Sequence, residues 1–266
     1  MKLSVFFVHA FTAIPFKGSP TSVCYADTLP GPQAMQHIAA ELNLPVTAFI
    51  CKRTHYYDIK YYTPITETPA CGHATLASAR IAMMMDNASS ITFKTMQGLT
   101  INANSKQDHI SMGYPRYVWK EAKAEEETLA SLKITSYRSV AFSPELETLF
   151  IELESADTLR KIQPDYRRLE KSSNLIKEIV ITSASDDPQF DYLLRSFCPW
   201  IGIDEDPVTG SVHSVLGSYW QQRLNKKVLK AYQASDGGGE LLINALDDSI
   251  EIGGKTVVVM KGEMNY

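Results

Sequence analysis

The sequence contains few cysteines, and their arrangement argues against both a metal centre and a disulfide framework. Cys24, Cys51, Cys71 and Cys198 are widely separated and include no C-x-x-C pair. Metal-binding and disulfide-stabilised domains place their cysteines closer together. With 266 residues the chain is long enough to form a core without cross-links. We therefore expect no metal ion and a reduced, cytoplasmic protein.

Long runs of like charge and of apolar residues are also absent. Their absence argues against a nucleic-acid partner and a membrane partner. The net charge is −4, and adjacent basic residues occur only as pairs such as Lys226-Lys227. No apolar stretch reaches the roughly 18 residues that a membrane span requires. The N-terminal segment MKLSVFFVHAF has no signal-peptide cleavage pattern, so we predict that it is a buried strand. We expect neither a nucleic-acid partner nor a membrane partner.

Nucleotide-binding motifs are missing as well. No G-x-G-x-x-G follows the first predicted strand, and the chain contains no P-loop. The sequence therefore indicates no dinucleotide site, and we expect no cofactor.

The pattern of apolar residues along the chain predicts a two-lobed α/β fold that is rich in strands. Each half has several strand-like segments and one long apolar helix, predicted over 71–85 in the first half and over 210–224 in the second. One long helix among many strands favours a curled sheet around a central helix over alternating β-α-β units. We predict an N-terminal lobe over 1–118 and a C-terminal lobe over 119–252, with the polar stretch Lys120–Glu127 as the linker.

The two long predicted helices begin in similar ways. The first follows ACGHAT (Ala70–Thr75) and the second follows DPVTGSVH (Asp206–His213), so that Gly72 and Gly210 lie where the helices open. Glycine lets a ligand approach the backbone, and the free N–H groups of a helix start attract anions. Two such junctions facing each other would hold a carboxylate or a carbanion-like intermediate.

A purely structural interpretation of the same residues stays open. Asp206, Thr209 and Ser211 are residue types that commonly cap helices. His73, taken alone, is also typical of a packed histidine with no role in catalysis.

Five ordered blocks resemble the signature of the phenazine-biosynthesis (PhzF-like) isomerase family. They are VHAFTAIPFKGSP (Val8–Pro20), NLPVTAF (Asn43–Phe49), TPITETPACGHATLA (Thr63–Ala77), GIDEDPVTGSVH (Gly202–His213) and GGEL (Gly238–Leu241). The resemblance implies a fold like that of diaminopimelate epimerase, with two pseudo-equivalent lobes, a final strand at about 253–266 that returns to the first lobe, and a homodimer. It implies a cofactor-free isomerase that moves a proton within a small carboxylated metabolite. The best-known activity of this family is the isomerisation of trans-2,3-dihydro-3-hydroxyanthranilate.

The resemblance also implies roles for individual residues. His73, Asp206 and Ser211 match the family's catalytic and substrate-positioning residues, and Gly72 and Gly210 match its backbone anion sites. We add Ser19, Cys71 and Thr209 as substrate- or anion-binding candidates. Cys71 occupies the place of one of the two catalytic thiols of the related epimerase.

Three positions depart from the family pattern. Val46 stands where the family carries its proton-shuttling glutamate, His9 stands where aspartate is usual, and Ser19 stands where asparagine is usual. Valine neither titrates nor forms hydrogen bonds through its side chain, so the usual mechanism cannot operate unchanged.

Three interpretations follow from Val46. The first is an isomerase whose base has moved to His73, Asp206, His9 or Cys71. The second is a catalytically silent protein that binds small anions. The third is an enzyme that catalyses another reaction, such as decarboxylation or hydrolysis, with the same oxyanion stabilisation.

Overall fold

The computed structural model describes Lys2–Tyr266, which form two compact units. Unit 1 contains the chain up to Gly113 together with Glu251–Tyr266, and unit 2 contains Tyr114–Ile250. The strands are β1 (Lys2–Ala10), β2 (Ser19–Tyr25), β3 (Thr47–Lys52), β4 (Tyr57–Tyr62), β5 (Glu67–Thr68), β6 (Ser90–Thr95), β7 (Thr100–Lys106), β8 (His109–Pro115), β9 (Lys120–Glu121), β10 (Ser139–Ser143), β11 (Thr148–Glu152), β12 (Glu178–Ala184), β13 (Tyr192–Cys198), β14 (Ile203–Glu205), β15 (Val228–Gln233), β16 (Gly239–Ala245), β17 (Ser249–Gly254) and β18 (Thr256–Asn265). The helices are α1 (Pro32–Leu42), α2 (Gly72–Asp86), α3 (Glu126–Leu132), α4 (Ala156–Lys161), α5 (Tyr166–Glu170) and α6 (His213–Leu224), and a 3₁₀ turn spans Pro199–Ile201.

In unit 1 a mixed sheet surrounds the helix α2. Strand β1 lies between β2 and β18, and the sheet continues from β2 through β3, β4 and β6 to β7 and β8. Every residue from Ala74 to Ala79 in α2 is buried. A helix that is buried on all sides belongs at the centre of a core, which agrees with its small and apolar residues. Helix α1 packs on the other face of the sheet, against Leu3 and Val5.

Unit 2 repeats this design around α6. Its sheet runs from β9 through β10, β11, β12 and β13 to β15 and β16, and β14 pairs with the end of β13. All eight residues from His213 to Trp220 in α6 are buried. A second apolar cluster joins α3, α4 and α5 to the sheet through Leu132, Leu159, Leu169, Ile181 and Leu193.

The predicted fold class is confirmed, because each unit is a curled sheet with one long buried helix. Between residues 2 and 266, no helix has the length and apolar character needed to cross a membrane.

Two local predictions are wrong. Lys120–Glu127 is not a linker, since β9 pairs with β10 and α3 begins at Glu126; its charged side chains lie on the exposed surface of unit 2. The second long helix begins at His213 rather than Gly210.

Candidate functional site

The first candidate site is the start of α2 in unit 1. Cys71 is its N-terminal cap residue and has an extended backbone, but its side chain makes no capping hydrogen bond. The Thr75 hydroxyl donates to the Cys71 carbonyl over 2.7 Å and lies 2.6 Å from the Tyr61 hydroxyl. The first N–H groups of a helix have no partner within it, and the helix dipole makes this end positive. The opening turn with Gly72 therefore suits an anion.

Cys71 and His73 form a contact pair at this helix start. The Cys71 Sγ lies 3.4 Å from Nε2 and 3.5 Å from Nδ1 of His73, and both side chains are half-buried. A thiol and an imidazole at this distance can exchange a proton. The pair places a thiol and an imidazole, two groups that can accept or donate a proton, at the positive end of α2.

Ser19 and Val46 lie at the same end of the sheet as the start of α2. Val46 directly precedes β3, where Ala48 pairs with Tyr61, the residue whose hydroxyl contacts Thr75 in α2. Val46 is itself buried, at 8% exposure, and the Thr21 hydroxyl donates to its carbonyl over 2.6 Å.

Ser19 has an unsatisfied hydroxyl. It is fully buried, and its Oγ has no hydrogen-bond partner among the described residues. A buried polar atom without a partner needs an explanation, and a bound ligand or water is the common one. Gly18 precedes it with φ +73°, and a Cβ there would overlap the Ala10 carbonyl oxygen. Only glycine fits this close turn, which fixes where Ser19 begins the strand.

His9 lies on a different face from the start of α2. It pairs with Pro20 on β2, and strand alternation places its side chain opposite to those of Val8 and Ala10, on the face that α1 covers. Its Nδ1 lies 2.7 Å from the Lys17 carbonyl oxygen and donates to it. We therefore drop His9 as a replacement base.

The second candidate site is the turn before α6 in unit 2. The Asp206 carboxylate accepts a hydrogen bond from the Thr209 hydroxyl over 2.6 Å, and the Asp206 N–H donates to the Ser196 carbonyl. Gly210, Ser211 and Val212 follow in a tight turn, in which the N–H of His213 bonds to Gly210 and that of Ser214 bonds to Ser211. The N–H groups of these three residues lie ahead of the helix ladder, and N–H groups in such a position can bind an anion. Ser211 is exposed at this point.

Two ionisable groups, Glu178 and Cys198, interact electrostatically with Asp206. Burial raises the pKa of Glu178 to about 7; hydrogen bonds from Ser196 and Thr148 oppose this rise, and the Asp206 charge adds to it. Burial, then Glu178 and Asp206, raise the pKa of the Cys198 thiol. An acid such as Glu178, whose pKa lies near neutral, often marks a functional site because its proton is available at that pH.

Sequence reasoning missed Gln233 and gave no role to Gly239. The Gln233 amide bonds to both ends of the Asp206–Thr209 turn. A Cβ at Gly239 would overlap the side chain of Val208 in this turn. The GGEL block hinted at this second contact, but nothing in the local sequence around Gln233 pointed to the first.

A metal site is not formed by these residues. Across the described chain, no group of three or more His, Cys, Asp or Glu side chains is arranged to hold a metal ion.

Comparison with known proteins gives one consistent family. The family model described as "Phenazine biosynthesis-like protein" matches residues 8–262. The chain is 36% identical over 268 residues to an uncharacterized isomerase of Halalkalibacterium halodurans, and the match covers 99% of each protein. It superposes on the crystal structure of a phenazine biosynthesis protein of the PhzF family from Enterococcus faecalis with a TM-score of 0.93, 31% identity and full coverage of both chains.

A more distant structure resembles the chain in fold alone. A predicted epimerase from Pseudomonas aeruginosa gives a TM-score of 0.75 with 15% identity and covers 99% of both chains.

Proposed function

Because the chain belongs to the phenazine biosynthesis-like protein family, we propose that it is a cofactor-independent isomerase that moves a proton within a small carboxylated metabolite. In this proposal backbone N–H groups at a helix start bind the substrate carboxylate. The proton is carried by residues other than position 46.

The observation that carries this proposal is the contact between Cys71 and His73 at the start of α2. His73 takes the proton from the substrate carbon, and the resulting imidazolium is stabilised by the adjacent sulfur atom. The same imidazolium, whose proton exchanges with solvent, then delivers a proton to another carbon, so the reaction is balanced without an added oxidant, reductant or metal. General base catalysis of this kind contributes roughly 10²- to 10⁴-fold in rate.

Asp206 and Ser211 have supporting roles in the proposal. The Asp206 carboxylate is oriented by the Thr209 hydroxyl, which leaves its other oxygen to bind a substrate hydroxyl or amino group. Ser211 is exposed beside the N–H groups of the turn and offers a further hydrogen bond to the substrate carboxylate.

The burial of Val46 favours a second candidate function, that of a catalytically silent protein that binds small anions. An apolar side chain at the family's base position would preserve binding by the helix starts while abolishing proton transfer. The two functions differ in one measurable property, the exchange of a carbon-bound proton with solvent.

The deciding experiment is incubation with trans-2,3-dihydro-3-hydroxyanthranilate in deuterated water, followed by NMR. An isomerase incorporates deuterium into the product, and His73→Gln and Cys71→Ser lower the rate at least tenfold. His37→Gln, which changes an exposed histidine of α1, serves as the matched control and leaves the rate unchanged.

The opposite result would support the binding protein. In that case the ligand perturbs the protein spectrum, but no deuterium enters the ligand, and Val46→Glu is the variant that introduces exchange. Exchange that persists in His73→Gln, Cys71→Ser and the double variant would contradict the assignment of the base.

A further inference from the structure

Gln233 is a buried polar side chain at the end of β15. It has no exposed surface, and its backbone pairs with Leu194 on β13 and Gly239 on β16. A buried amide side chain is costly unless its donor and its acceptor are both satisfied. Where its two hydrogen bonds go therefore indicates why a glutamine occupies this position.

Both hydrogen bonds go to the turn that carries Asp206. Gln233 Nε2 donates to the Asp206 carbonyl over 2.6 Å, and Gln233 Oε1 accepts from the Thr209 N–H over 2.8 Å. One planar amide thus fixes the first and the last residue of the turn. It also occupies the Thr209 N–H, so that the amides left for a ligand begin at Gly210.

The β15–β16 hairpin holds the other two residues of the turn. Ser235, which follows β15, donates its hydroxyl to the Pro207 carbonyl over 2.5 Å. Val208 packs so closely on Gly239 that a Cβ at Gly239 would overlap its side chain. Every residue from Asp206 to Thr209 is therefore held by the same hairpin.

We propose that Gln233 is a positioning residue that sets the Asp206 carboxylate and the Gly210–Val212 amides in the geometry that binds a substrate carboxylate. The proposal rests on the proposed function, because it assigns to this turn the anion that the isomerase binds. Gln233 acts through the backbone and does not touch the substrate.

Two variants separate positioning from simple stability. Gln233→Met keeps the length of the side chain but removes both hydrogen bonds. Gln233→Glu keeps the acceptor for Thr209, and when protonated it also regains a donor for the Asp206 carbonyl. The ionisable groups coupled to this turn are Asp206 itself, Glu178 on β12 and Cys198 on β13, and all remain in every variant. Gln163→Glu, at an exposed glutamine, is the matched control.

The probe is anthranilate, a planar carboxylate that lacks the carbon-bound proton to be moved. Its binding is followed by the amide signals of Gly210, Ser211 and Val212 in ¹H–¹⁵N NMR, and amide hydrogen exchange of Thr209 reports on the turn. We expect at least tenfold weaker binding and faster Thr209 exchange in Gln233→Met. In Gln233→Glu we expect weak binding at pH 8 that recovers as the pH falls towards 5, with no such change in Gln163→Glu.

Two results would overturn the proposal. One is unchanged anthranilate affinity in a folded Gln233→Met protein; the other is a wild-type protein in which anthranilate leaves the Gly210–Val212 amides unmoved. Neither depends on turnover, so a wild type that binds anthranilate but exchanges no deuterium would reject the isomerase while leaving the role of Gln233 intact.

Discussion

Single residues decide how tightly the Asp206 turn is held. The Val208 side chain lies so close to Gly239 that no residue with a Cβ atom would fit at position 239 without a shift. Close packing of this kind leaves no room for even one added methyl group, since protein interiors are as dense as organic crystals.

Gly239→Ala is expected to destabilise the protein and disturb the turn. The new Cβ overlaps the Val208 side chain, and overpacking costs typically about 1–3 kcal/mol of unfolding free energy. Urea unfolding midpoints measure the loss, and the Thr209 amide signal reports the shift of the turn. Gly113→Ala is the control, because a Cβ at Gly113 meets nothing within 4 Å. Equal midpoints for the two variants would show that Val208 moves aside without cost.

His213 shows how burial changes a residue that sequence alone would place among candidate acids and bases. Burial lowers its pKa to about 3, so its ring is neutral at physiological pH. Its Nδ1 lies 2.6 Å from the Tyr192 hydroxyl, while Nε2 has no partner among the described residues. The residue therefore belongs to the polar interior of α6 rather than to the proton-transfer group.

At the scale of elements, the short strand β14 is fixed by a charged pair. Arg195 on β13 forms two hydrogen bonds of 2.7 Å with Glu205, the last residue of β14, and also donates to the Ile162 carbonyl. Only 11% of the Arg195 side chain and 17% of the Glu205 side chain are exposed. Because Asp206 directly follows Glu205, this ion pair fixes the direction in which the chain enters the Asp206 turn.

Removing one partner of this pair is expected to be costly. Glu205→Gln leaves the Arg195 charge largely buried without its counter-ion, which lowers the unfolding free energy by about 2–4 kcal/mol. Glu127→Gln is the matched control, since the Glu127–Arg168 pair is about half exposed and solvent screens such a pair, so that its loss changes stability little. Denaturant unfolding of both variants makes the comparison. A similar small loss in both would mean that solvent screens the Arg195–Glu205 pair.

Sequence patterns predicted the two long helices well where apolar residues recur at helical spacing. Helix α2 begins within one residue of its predicted start because Gly72 opens a stretch in which Ala, Leu, Ile and Met recur at helical spacing. Helix α6 begins three residues late because Gly210, Ser211 and Val212 form a tight turn, in which the N–H of residue i+3 donates to the carbonyl of residue i. The two hydrogen bonds of the Gln233 side chain join residues that are 27 and 24 positions apart in the sequence, and no local spacing predicts such contacts.

At the scale of the whole molecule, two buried groups act on stability in opposite directions as the pH changes. The lowered pKa of His213 means that the folded state resists its protonation, so stability falls as the pH drops below the ordinary pKa of histidine. The raised pKa of Glu178 means that the folded state keeps the carboxyl proton up to a higher pH than the unfolded state does. Its contribution is therefore fully present below about pH 4.5 and is lost as the pH rises through about 7.

Glu178→Gln isolates the second contribution. The amide stays neutral at all pH values, so the variant and the wild type should have similar stability at pH 5, where Glu178 is protonated in the folded state. At pH 8 the wild type must hold an ionised carboxylate beside Asp206, and the variant should be more stable by on the order of 2 kcal/mol. Glu170→Gln, at an exposed position of α5, provides the control for a change in net charge alone. Urea midpoints at pH 5, 6, 7 and 8 for the wild type, Glu178→Gln and Glu170→Gln give the three curves to compare. If the Glu178→Gln and wild-type curves run parallel over this range, the Glu178 carboxyl is already ionised at pH 5. Glu178 then has no proton to supply near neutral pH.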